Sequence, residues 1–343
     1  MKLFNRVRVS TATTGTGTIT LGAAITGYQT PASAGAVNGD VGSWAIEDGS
    51  AWELFVGTYA SAGPTLTRTL IASSTGSLLN LSGNAQVFST ALAHDIGPPV
   101  GQASLALSGG NLVLSPKNGN NLSINGRLWP IPSGGVSLAA TSLSAGTTYY
   151  IYAYMSGSTM TLEASTTTHA TDAATGVEIK SGDATRTLVG MARPVTGPAW
   201  VDSAAQRFVR SWFNRRSLSL FNKLAGQGST GSTTFAELDS TKKVEFLVWS
   251  EESVSLNTAG YVTPGAGNVS SAIGIDGTAD LNSASRVAGS AGITPINTPY
   301  SANLSEGYHY ATQMAASSSG TATFGIATET AVVHFNGLFG SIQ

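Results

Sequence analysis

The chain has 343 residues, long enough for two or three domains, and its 41 glycines and 12 prolines are spread throughout, which suits many short strands better than long helices. Only 10% of the residues are charged and the formal net charge is −2, against about 25% charged in an average soluble domain, so the balance argues against a nucleic-acid partner and leaves Ser, Thr, Asn and Gly to cover the surface. Cysteine is absent and the four histidines, His94, His169, His309 and His334, stand singly, which removes disulfides, thiol catalysis and zinc sites built on thiolates.

The chain opens with Lys2, Arg6 and Arg8 ahead of a small-residue tract, Ser10 to Thr30. A signal peptide would need about 7 to 15 continuous apolar residues after its charges, and Thr11, Thr13, Thr14, Thr16, Thr18 and Thr20 interrupt every apolar pair. No export signal and no spanning helix are expected. Threonine suits a pleated sheet and Gly15, Gly17, Gly22 and Gly27 fall where hairpins turn, so the tract reads as strand and turn: Phe4 to Val9 alternates, and Gly15 to Gly17 leads into a second alternating run.

A hairpin follows in SWAIED, a turn at Gly49, AWELFVGTY, a turn at Ala62-Gly63-Pro64, and TLTRTLIAS. Trp44, Ile46, Trp52, Leu54, Val56, Leu66 and Leu70 recur at spacing two, the period of a half-buried strand. Asp95-Ile-Gly-Pro-Pro99 closes this first unit, because prolines disfavour helix and cannot donate to a central ladder.

FNRVRVSTATTGTGTITLGAAITGYQT, SWAIEDG, AWELFVGTY and TLTRTLIASSTGSLLNLSG resemble the N-terminal domain shared by appendage proteins of tailed bacteriophages, the tail fibre and tail structural proteins. GVSLAATSLSAGTTYYIYAYMSG, EASTTTHATDAATGVEIKSGDATRTLVGMARP and RFVRSWFN resemble the β modules further out in such appendages. The resemblance covers about two-thirds of the chain and implies a virion component made in the bacterial host cytoplasm. Its implied partners are other copies of itself, as a homotrimer, other virion structural proteins, and a host-surface glycan or protein.

Beyond it, Leu105, Leu107, Leu112, Leu114, Leu122 and Ile124 alternate between Gly or Asn turns in strands of a few residues, a slender region that three copies wound about an axis could bury. Tyr149, Tyr150, Tyr152 and Tyr154 place aromatic rings on both faces of one strand, read first as two sides of a sandwich strand and second as an exposed sugar-stacking ladder. Asp202 to Phe221 is the most charged passage, with Arg207, Arg210, Arg215 and Arg216 among Phe208, Trp212 and Phe213. An interdomain joint is the preferred reading, a polyanion site the alternative. Asp202 is a plausible helix cap there.

The expected fold is all-β: small antiparallel sandwich or barrel modules in series with a jelly-roll-like C-terminal domain. The expected divisions are an attachment domain over 1–97, a strand-rich connector over 98–134, a small β module over 135–200 and the tip over 201–343. Glycoside cleavage would need a pair of carboxylates, and the candidates are Glu245, Glu251, Glu252, Asp276, Asp280 and Glu329. Glu251 and Glu252 would point to opposite faces of a strand, and Asp276 to Asp280 reads as an Asp-Gly turn before a calcium loop. Tyr308, His309 and Tyr310 are candidate glycan contacts, although a lone strand histidine is more often structural. No catalytic, cofactor or metal site is expected. The functional expectation is a homotrimeric tail fibre, not an enzyme; a capsid head fibre or decoration protein and a glycan depolymerase are the alternatives.

Overall fold

The computed structural model describes residues 2–92, 95, 101–224, 226–289, 292–325 and 337–343. Helix is confined, among the described residues, to one 3-10 turn at Leu281–Ser283; nearly all other regular structure is antiparallel strand. None of the described helices is long and apolar enough to cross a membrane. Close contacts divide the chain into two units, Met1–Val100 with Asn125–Trp129 and Gly101–Ile124 with Pro130–Gln343.

The first unit is built on strands β1 (Arg8–Thr11), β2 (Val41–Asp48), β3 (Ala51–Ala60), β4 (Thr69–Ser73) and β5 (Ala85–Ser89), hydrogen-bonded in the order β1-β5-β2-β3-β4. The hairpin predicted across Gly49 is present, with Asp48 opposite Ala51 and Gly49 at φ +63°. Trp44 and Ile46 point into the core as expected, beside Val9, Phe55 and Val87, all fully buried. On β3 the phase is the reverse of the expected one: Glu53, Phe55 and Tyr59 are buried, and Trp52 is 43% exposed. Period two cannot choose between faces when both carry apolar side chains. Here Glu53 is drawn inside by Arg68, whose Nη1 lies 3.1 Å from Glu53 Oε2.

The threonine and glycine tract forms only short strands, Thr14–Gly15 and Ile19–Thr20, after β1. Its threonines bond the backbone instead of extending a ladder: Thr11 Oγ1 donates to the Thr20 carbonyl at 2.7 Å and Thr13 Oγ1 accepts from the Thr20 amide at 2.8 Å. Short side-chain bonds of this kind compete with sheet pairing. The Asp95 to Pro99 closure lies largely outside the described residues.

In the second unit, Ala103–Ser108, Asn111–Pro116 and Val136–Leu138 make a three-stranded antiparallel sheet. Strands β6 (Tyr149–Ser156), β7 (Thr159–Ser165), β8 (His169–Thr171), β9 (Glu178–Lys180), β10 (Asp183–Ala192) and β11 (Val209–Ser211) make a second sheet, ordered β7-β6-β10-β9-β8 with β11 also against β10. Gly190 on β10 is a point of close approach, where a Cβ would stand 2.4 Å from Leu105 Cδ2 and 2.6 Å from the Arg210 carbonyl.

The C-terminal strands are β12 (Leu218–Lys223), β13 (Val244–Val248), β14 (Ser253–Thr263), β15 (Val269–Ile275), β16 (Ser285–Val287), β17 (Thr294–Asn303), β18 (Gly307–Ser317) and β19 (Gly337–Ile342). One sheet runs β12-β19-β14-β17, the other β13-β18-β15-β16, each pairing antiparallel. In the order of these eight strands the chain alternates between the two sheets except from β15 to β16. This is the two-sheet wrap of a jelly roll, as expected from the sequence. Its core interleaves both sheets, with Phe246, Val248, Ile273 and Ala311 from one against Leu220, Val254, Leu338 and Ile342 from the other. Alternation along the start of β14 and along β17 separates this interior from an outer face that includes Ser255, Asn297, Ser301 and Asn303, whereas β13, β15 and β18 are buried over most of their length.

Candidate functional site

The richest grouping of polar and aromatic side chains in the second unit gathers on His169, the first residue of β8. Its Nδ1 lies 2.5 Å from Glu178 Oε2, and its Nε2 lies 3.2 Å from Glu306 Oε1. Glu178 comes from the adjacent strand β9; Glu306 comes from the bend between β17 and β18, 137 positions further along the chain. Ionised carboxylates only accept hydrogen bonds, so both contacts are satisfied together when the ring carries hydrogen on both nitrogens. Tyr150 Oη donates to Glu306 at 2.7 Å, and Thr171 Oγ1 donates to Glu178.

Aromatic rings enclose the imidazole. Tyr150 and Trp212 have centroids 5.5 Å away and Trp249 5.9 Å away, while Trp212 and Trp249 meet edge to face at 4.9 Å. Arg215 lies over Trp212 at 4.3 Å, a cation on the negative face of the ring. Burial, reinforced by the hydrogen bond to Glu306, pushes the Tyr150 hydroxyl up from its ordinary range. Tyr152, fully buried, is pushed up by burial first and then by Tyr150 and Glu163. The cluster ties the β8–β9 hairpin to the sandwich with charge-assisted bonds shielded by apolar rings.

The structure separates Tyr308, His309 and Tyr310. The tyrosines share one face of β18, partly buried, and His309 turns to the other and is buried. Tyr308 Oη donates to Glu245 at 2.7 Å and its ring carries the Arg193 guanidinium at 3.9 Å. Burial, then Glu245, pushes the Tyr308 hydroxyl up. The Tyr310 ring carries Lys243 at 4.0 Å. His309 Nδ1 lies 2.7 Å from Asp276 Oδ2 and its Nε2 2.8 Å from the Ser305 carbonyl.

The candidate carboxylates among the described residues each have their own hydrogen-bond or ion-pair partners. Glu245 takes Tyr308 and Gln206, Glu251 pairs with Arg215 at 2.9 Å, and Glu252 is buried against Arg210. Asp276 sits at φ +50° in its Asp-Gly turn, accepting from the Tyr310 amide, and Asp280 caps the 3-10 turn through Asn282. Glu329 lies outside the described residues, as do His94 and His334. Asp202 caps no helix: its stretch runs into the short strands Gln206–Arg207 and β11, because the segment pairs with β13 and β10. Among the described residues no group of three or more His, Asp or Glu is arranged to hold a metal ion.

No protein-family model matches the chain and no curated protein does. Among solved structures it is similar to a chain in a structure of infectious bursal disease virus Gx strain, at 12% identity and a TM-score of 0.21, over 100% of this chain and 78% of that one. A score this low carries no statement about shared fold or function, and the functional reading rests on this chain's own residues.

Proposed function

We propose that the protein is a non-enzymatic structural and adhesive component of a bacteriophage particle, a homotrimeric tail fibre anchored through residues up to about 97 and touching the host with its C-terminal sandwich. The observation that carries this reading is the jelly roll over residues 218–342, an architecture used by viral capsid and lectin domains. The resemblance of the first block to phage appendage domains adds to it. So does the low charge: with 10% charged residues the surface is built for contacts of hydroxyl, amide and aromatic groups.

The test is made on full-length protein: its molar mass by light scattering, its adsorption to host cells, and its position on intact particles by antibody labelling. A mass of three chains, adsorption without release of reducing ends, and label on the tail are the expected results. Label on the capsid surface moves the protein to the head-fibre alternative. A protein absent from particles that adsorbs to no cell overturns the proposal.

A further inference from the structure

The outer face of the sheet β12-β19-β14-β17 has a pattern that neither the sandwich core nor the aromatic cluster requires. Strand pairing sets its side chains in rows that run across the strands. Ser219 stands opposite Ser341, Ser341 opposite Ser255, and Ser255 opposite Ser301, so four serines from four strands form one row. Two residues along, the next row is Phe221, Phe339, Asn257 and Pro299. Both rows point away from the core: Leu220, Leu338, Val254 and Ile342, which alternate with them, are buried, while Ser219, Ser255, Ser301 and Pro299 are exposed. Phe221 and Phe339 are 37% and 36% exposed, so two aromatic rings in register meet water on a face otherwise built of small polar groups.

Charge is nearly absent there. The four strands carry one charged side chain, Lys223, at the end of β12. Arg207 reaches the margin, donating to the Ser219 carbonyl at 2.8 Å and hydroxyl at 3.3 Å, and is itself paired with Asp202. That balance decides what can rest on the face. A polyanion needs a set of cations to replace its counterions, and Lys223 alone does not supply one. A charged protein surface would give up hydration with no opposite charge to meet. A neutral partner rich in hydroxyls loses nothing of the kind: each serine hydroxyl both donates and accepts, and an exposed ring beside a proline offers an apolar surface to the C–H face of a sugar. Spacing adds to the match. Neighbouring strands lie about 4.8 Å apart, close to the advance per sugar of an extended glycan, so successive sugars laid across the strands would meet successive serines.

We propose that this face binds a neutral, extended glycan chain running across β19, β14 and β17, with sugar hydroxyls on Ser341, Ser255 and Ser301 and sugar faces on Phe339 and Pro299. Its biological meaning rests on the adhesive reading, which it narrows to one face of the sandwich and one class of ligand.

The experiment titrates full-length protein by calorimetry with three probes of equal length: cellohexaose, neutral and extended; maltohexaose, neutral and curled; and hexagalacturonate, charged at every sugar. Binding of cellohexaose above the other two, weakened about ten-fold by Phe339→Ala as for loss of a stacked ring and abolished by Ser255→Glu, is the expected result. Both positions lie on the outer face, so the variants keep the fold, which circular dichroism checks. Binding of no probe, equal binding of maltohexaose or hexagalacturonate, or indifference to Phe339→Ala overturns the proposal. So does a molar mass that falls in either variant, which would make the face a contact between copies of this chain. Adsorption of the same preparations to host cells separates the two readings. A protein that adsorbs yet ignores all three probes loses this face alone, whereas one that binds cellohexaose through Phe339 and adsorbs to no cell keeps the face and loses the adhesive reading.

Discussion

Among the described residues each unit buries one arginine against one glutamate, and the two pairs are finished differently. In the first unit every Arg68 nitrogen is used: Nε reaches the Gly17 carbonyl at 3.0 Å, Nη2 the Gly15 carbonyl at 3.1 Å, and Nη1 both Glu53 and the Leu79 carbonyl at 3.1 Å. Glu53 in turn accepts the Leu79 amide at 2.7 Å, leaving its other oxygen unpartnered. In the second unit Arg210 holds Glu252, which accepts the Trp249 amide at 3.0 Å and closes the 249–252 turn. Its Nε is buried and left without a hydrogen-bond partner. The same chemistry thus knits several loops together in one place and closes a single turn in the other. A buried ion pair is weak evidence for net stability, so what distinguishes the pairs is the backbone each arginine satisfies.

That contrast predicts an order of damage. Arg68→Ala strands Glu53 and three carbonyls, and should cost about 3–5 kcal/mol, read by urea denaturation together with early hydrogen exchange across residues 12–22. Arg210→Ala strands Glu252 but almost no backbone, since its only other bond is a long one to the Arg216 carbonyl at 3.4 Å, and belongs near the lower end, about 3 kcal/mol. If Arg210→Ala proves the more damaging, the division into a pair that knits several loops and a pair that closes one turn is wrong. Gly190→Ala comes next. Its methyl would press on Leu105 and the Arg210 carbonyl, an overpacking worth about 1–3 kcal/mol, and it should lower the thermal midpoint.

What the sequence disclosed divides along a similar line. Strand period and glycine turns sufficed for the all-β class, the Gly49 hairpin and a jelly-roll-like tip, because those features are local or repeat along the chain. The buried face of β3 was hidden, since Trp52, Leu54 and Val56 look more apolar than Glu53 until Arg68 is known to be waiting inside. His169, Glu178 and Glu306 were invisible as a group: nothing local links a histidine to a glutamate 137 positions away. The arginine stretch was legible as unusual, but its orphan Nε depends on which arginine finds a glutamate. Tyr308, His309 and Tyr310 do not share a face, because a strand sends neighbours to opposite sides.

Smaller effects sharpen the comparison from the acid side. Glu306→Gln removes one of the two charges that hold His169 and should cost about 1–2 kcal/mol, seen as a lower urea midpoint and a shifted His169 ring signal. An unchanged ring signal would show that Glu178 alone holds the imidazole. The smallest effect is a slope with pH. Burial raises the Asp202 carboxyl above its ordinary value of 3.8. The folded chain therefore binds this proton more tightly than the unfolded chain, and between 3.8 and the raised value stability falls as pH rises. Glu163 is the opposite case. Burial raises it, but hydrogen bonds from Lys180 and Arg186 outweigh burial and hold it below its ordinary 4.5, so its contribution is present above 4.5 and lost as pH falls through the depressed folded value. Thermal midpoints taken at steps through the acid range should show wild type gaining on Asp202→Asn, and losing ground to Glu163→Gln, as the pH is lowered. Two parallel slopes would mean that Asp202 is governed by Arg207, Arg210 and Arg216, which lower its pKa, and not by burial, which raises it.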